Sequence, residues 1–167
     1  MGTLKPRCLG FLLTAVLVLS VAAVALADNV HFVSGPTFTD NGLTLSAAGT
    51  LAGLGNTNID VVLSATANPT AICSNHGKHQ PPGQNPASVT VTGGQSIPAS
   101  KVKNGSVGIS VTTQPPVSVI PGAPGCPNSG WTETITDMVW TSATITVNGT
   151  QVFTCALSDV GTSVTCL

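Results

Sequence analysis

Two histidines, His76 and His79, follow Cys73 within the stretch SNHGKHQPPGQNP, residues 74–86. Imidazoles at this spacing, close to a thiol, are the raw material of a zinc or copper site or of half a catalytic pair. Such a site needs three or four converging ligands. Here Cys73 is expected to be oxidised, no acid lies nearby in sequence, and Lys78 stands between the two imidazoles. The remaining histidine, His31, would suit square-planar copper only as mature residue three, behind a free amine and two amides. Cleavage of a leader after Ala27 makes it residue four. His31, His76 and His79 are therefore weak metal ligands. Residues 74–86 read as a polar loop, and His31 as a polar residue on the first strand beside Phe32.

Other chemistries fare no better. No G-x-S-x-G elbow occurs, and nothing marks a histidine–acid pair as catalytic. Glu133 and Asp137 share one row of a strand, but four strand residues span about 13 Å. That exceeds the carboxylate separations of glycoside hydrolases, so both acids read as a solvated strand face. Stacking on sugars needs an aromatic platform. Past the leader the chain has only Phe32, Phe38, Phe153, Trp131 and Trp140, with no tyrosine anywhere. No catalytic residue and no cofactor is assigned.

The elements that would position these residues begin after a leader. A short basic start, Met1 to Arg7, precedes FLLTAVLVLSVAAVALA, which is apolar apart from Thr14 and Ser20 and closes on Ala25-Leu26-Ala27. Residues 1–27 thus read as a cleaved signal peptide. The mature domain, residues 28–167, is expected to be secreted and extracellular, with no membrane contact after cleavage. A run of about 17 apolar residues is marginal for a membrane span. Without the leader, three lysines (Lys78, Lys101, Lys103) face six acids, a net charge of −3 with no arginine. Nucleic acid is excluded as a partner, because its recognition relies on basic patches and arginine forks.

Four cysteines remain, an even number that reads as two disulfides in an exported chain. A turn centred on Val160-Gly161 would set Leu157 opposite Val164 and Cys155 opposite Cys166, within bonding reach. The expected bridges are accordingly Cys155–Cys166 and, by remainder, Cys73–Cys126. Apolar residues largely alternate with Thr, Ser or Asp in 43–47, 59–65, 88–92 and 107–111, the two-residue period of half-buried strands. Asp40-Asn41-Gly42, 53–56, Gly93-Gly94 and Asn148-Gly149 read as turns between them. Asn148-Gly149 marks a two-residue hairpin, expected to set Ile145 across from Val152. In 131–140 the even row reads as inward and in 143–147 the odd row, so a bulge is expected near Thr141-Ser142. The prolines of 81–86 and 115–127 belong in loops or at sheet edges. Helix is expected only as a short turn in 98–105. The fold class is all-β: a single antiparallel β-sandwich with an Ig-like layout and two disulfides. Asn104-Gly105-Ser106 and Asn148-Gly149-Thr150 match the N-glycosylation pattern.

Several stretches together carry a resemblance. They are His31-Phe32-Val33, LTLSAAGTLAGLGNTNIDVVLSATA, Cys73-x-Asn75-x-Gly77 running to PPGQNP, and Gly125-Cys126-Pro127 before a β-rich tail. As a set, from His31 to about Val147, they resemble a group of small secreted β-rich proteins of uncharacterised function from actinobacteria, related soil bacteria and fungi. The resemblance implies no activity and no site residues. Members of that group often have glycine or proline where His76 and His79 stand. The expected function is a non-catalytic secreted protein with a structural or surface-binding role, toward cell wall, matrix or another protein. The alternatives are a secreted metal-binding protein using His31, His76 and His79, and a hydrolase with an unrecognised site.

Overall fold

The structure is a computed structural model that describes residues 29–75, 77, 81–82, 84–160 and 163–167. The leader, His76 and His79 lie outside the described residues. Alternation in the sequence becomes alternation in burial: in the strand Ile59–Ser74 every second side chain, from Ile59 to Cys73, is buried. Among the described residues there are nine strands. These are β1 (His31–Asp40), β2 (Leu45–Ala52), β3 (Ile59–Ser74), β4 (Val89–Ile97), β5 (Val107–Thr112), β6 (Val119–Ile120), β7 (Thr132–Val147), β8 (Thr150–Val160) and β9 (Ser163–Cys166). A single 3₁₀ turn, Ala99–Lys101, is the helical content among them, where a short turn is expected.

The strands pair antiparallel along one path, β4-β3-β7-β8-β9-β1-β2-β5, with β6 beside β7. Two face-packed sheets are expected from the sequence; the strands form one antiparallel path that curls until its ends approach, a nearly closed barrel. β8 makes the corner: its first half pairs with β7 and its second half with β9. At the seam between β4 and β5, Gln114 N–H donates to Thr92 O at 2.8 Å and Ser110 N–H to Gln95 Oε1 at 3.1 Å. Leu45, Leu51, Val61, Leu63, Ile145 and Trp140 fill the interior, each almost wholly buried.

Several local expectations are corrected. Gly93-Gly94 is not a turn but the middle of β4. A Cβ on Gly93 would lie 1.8 Å from Thr112 O, so glycine is needed there because the backbone of β5 crosses directly over it. Asn148-Gly149 does form the tight turn, with φ of 49° and 81°. However, Ile145 faces Phe153 rather than Val152, because the register slips between Ile145 and Thr146. At the C-terminus, Leu157 pairs with Cys166 and Asp159 with Val164, two residues from the expected register. The ladder closes with Val160 paired to Ser163. Cys155 and Cys166 are diagonal neighbours rather than directly opposed, yet at 5.7 Å between Cα atoms they are bonded.

β7 changes phase twice. Glu133 and Ile135 face inward, then Met138 and Trp140, then Ala143, Ile145 and Val147. The register shifts opposite Thr66/Ala67 and Thr70/Ala71 account for both changes. The first is the bulge expected near Thr141-Ser142. The second turns Glu133 into the interior, against the expectation that it faces water, while Asp137 is exposed as expected.

Candidate functional site

β3 and β7 are both 16 residues long and overhang their neighbours at one end of the barrel. There β4 stops at Val89, opposite Ala67, leaving Asn68 to Ser74 of β3 with β7 on one side only. Pro69, which has no amide proton, sits in this part of the strand, where the ladder can lose a donor. The two proline-rich stretches fill the space beside it as loop and edge. Pro82 bridges Ile72, Cys73 N–H donates to Pro81 O, and β6 lies along β7 at Thr134 and Glu133. Cys73–Cys126, with 5.7 Å between Cα atoms, pins the second stretch to β3, and Gln84 N–H to Gly125 O ties the stretches together.

Between them runs a trough. Its larger part is a groove of about 480 Å³ lined by Pro86, Val89, Val117, Val119, Ile120 and Ile135 among others, with no charged side chain in its lining. Val117 and Val119 on its rim are 78% and 51% exposed and add apolar surface to the groove. The groove continues through shared Pro86, Ala87 and Ile120 into a cleft of about 240 Å³ that Glu133 lines. Glu133 is 1% exposed and accepts from Gly125 N–H through Oε2 at 2.9 Å. Sequence reasoning missed this residue. The signal was the pairing of Glu133 with Ile135 on one row, overridden by the habit of placing acids outside.

A second polar cluster sits where β8 leaves β7. The buried Trp140 donates its indole N–H to Asp40 Oδ1 at 3.0 Å and its backbone N–H to Asp159 Oδ2 at 2.8 Å. Burial pushes the Asp159 carboxyl above its ordinary value; the Trp140 hydrogen bond opposes the shift, and the charges of Asp40 and Asp137 add to it. The arrangement fastens β1, β7 and β8 at one point.

Of the residues singled out from sequence, Glu133 pairs with Cys73 across β7 and β3. His31 opens β1, exposed, with Nδ1 2.7 Å from Asn29 O. Among the described residues no three His, Cys, Asp or Glu side chains converge as metal ligands would. Both disulfides form as paired from the sequence, chemistry suited to an oxidising extracellular compartment. No helix of the described residues is long and apolar enough to cross a membrane. Asn104 and Asn148 are exposed at positive φ in two-residue turns. Asn148 also holds Asp60: its Oδ1 accepts from Asp60 N–H and its N–H donates to Asp60 O, both at 2.8 Å. The phenylalanines pack on one another, with Phe153 5.8 Å from Phe32 and 6.1 Å from Phe38 between ring centres. No family model, curated protein or solved structure matches the chain.

Proposed function

We propose that this is a secreted, non-catalytic binding protein that holds a small apolar ligand in the trough at the end of its barrel. The observation carrying this reading is the uncharged groove of about 480 Å³, within the size range of small-molecule sites, with exposed valines on its rim. The walls are proline-rich and disulfide-pinned, so little ordering entropy is lost on binding. Export rests on the leader 1–27 and membership of the secreted β-rich group on the sequence resemblance. With these goes an Ig-like, sandwich-like reading of the barrel, flattened so that β3, β4 and β7 face β1, β2 and β5. The packing of Leu63 and Ile145 in one cluster with Leu45, Leu51 and Val111 supports it.

The test is fluorescence of N-phenyl-1-naphthylamine, a neutral apolar probe, on addition of protein. Saturable enhancement is expected, and Ala87→Trp, which fills the exposed mouth of the trough, should abolish it. Equal enhancement in both proteins would sink the reading. An ester and polysaccharide panel tests the hydrolase alternative, with no turnover expected. Zinc and copper titrations, repeated on His76→Ala/His79→Ala and His31→Ala variants, test the metal alternative.

A further inference from the structure

The groove by itself accounts for an apolar ligand; it does not account for Glu133. A carboxylate removed from water costs several kcal/mol unless hydrogen bonds or a counter-charge compensate. Glu133 is 1% exposed and has one such bond, from Gly125 N–H to Oε2. Its other oxygen, Oε1, makes no hydrogen bond to a described residue, and since no buried side-chain oxygen among them lacks a partner, Oε1 is open to the cleft. The described lining of its cleft is Gln84, Asn85, Pro86, Ala87, Ile120, Pro124 and Gly125, none of them cationic. Among the described residues, Glu133 is the one charged group facing a space that opens, past Ile120, into the apolar groove.

This juxtaposition defines a ligand with two ends. We propose that the trough takes a small aliphatic amine: its hydrocarbon body lies along Pro86, Val89, Val119 and Ile135, and its ammonium donates to Glu133 Oε1. The inference rests on the trough being a binding site and adds the charge its occupant carries. A charge-assisted hydrogen bond is about twice as strong as a neutral one. An alcohol of equal chain length should bind more weakly, and a carboxylate, repelled by Glu133, more weakly still.

The probes are octylamine, octanol and octanoate, titrated into the purified protein by calorimetry with amide shifts followed by NMR. Octylamine is expected to bind about tenfold or more tighter than octanol and to shift the Gly125 and Ile120 amides. Glu133→Gln should bring the two within about twofold, since the amide still accepts from Gly125 N–H but carries no charge. Equal affinities for all three probes would overturn the role of Glu133 and leave the apolar site standing. No binding of any probe would overturn both. Amine preference persisting in Glu133→Gln would also overturn it. Should that variant fail to fold, the parent decides: an amine-specific shift at Gly125, lost in Ala87→Trp, supports the assignment, and its absence refutes it.

Discussion

Replacing Gly93 with alanine tests how the barrel closes. The added Cβ would lie 1.8 Å from Thr112 O, 2.6 Å from Thr112 C and 2.7 Å from Thr113 Cα. All three are backbone atoms, so no rotamer change relieves the clash and β4 must move away from β5. Overpacking relieved by backbone movement costs about 1–3 kcal/mol. The shift also lengthens the Gln114–Thr92 and Ser110–Gln95 hydrogen bonds that span the seam. We expect a loss of at least about 2 kcal/mol in urea unfolding, or roughly 6–10 °C in melting temperature. Gly94→Ala is the internal control. It is the next residue in the same strand, and the nearest atom to its added Cβ is Val61 O at an ordinary 3.8 Å. It should be neutral or stabilise by up to about 1 kcal/mol, because alanine loses less freedom than glycine on entering a strand. Amide exchange at Ser110 and Gln114 should accelerate in Gly93→Ala and not in Gly94→Ala. Equal effects of the two substitutions would show that β4 and β5 do not approach as described.

Opening Cys73–Cys126 by paired serine substitution should cost about 4 kcal/mol, and opening Cys155–Cys166 about 3 kcal/mol, the loop-entropy values for separations of 53 and 11 residues; urea midpoints in the same order check this. Asp159→Asn should raise stability at neutral pH. The folded Asp159 binds its proton more tightly than the unfolded one, so its charge destabilises the fold increasingly as pH rises from the ordinary value of 3.8 through the raised one. The advantage of asparagine should shrink on acidification, and a pH-independent difference would contradict the burial argument. Asn148→Ala should cost about 1 kcal/mol more than Asn104→Ala in thermal unfolding. Both lose a residue tolerant of positive φ, but of the two Asn148 alone makes a side-chain hydrogen bond, to Asp60.

Much of this fold is written locally. Alternation in 59–65 and 107–111 marks β3 and β5, because a strand turns successive side chains to opposite faces whatever it pairs with. Asn148-Gly149 marks a hairpin, because only such residues accept two positive φ angles in succession. Cysteine parity and spacing indicate both disulfides. Tertiary structure decided the rest. Which strand lies beside which, and whether the path closes, depends on contacts between distant segments such as Thr92 with Gln114. Bulges slip the register of β7 opposite Thr66/Ala67 and Thr70/Ala71, and each reverses which of its rows faces inward. That is why Glu133 sits in the cleft although its sequence context reads as a wet face. Gly93 looks like a turn from its neighbours and is a point of closest approach only because β5 crosses it. Period-two patterning has no knowledge of what lies across the barrel, and the trough with its buried carboxylate exists only where two proline-rich stretches, 34 residues apart at their first prolines, are brought together over the overhanging ends of β3 and β7.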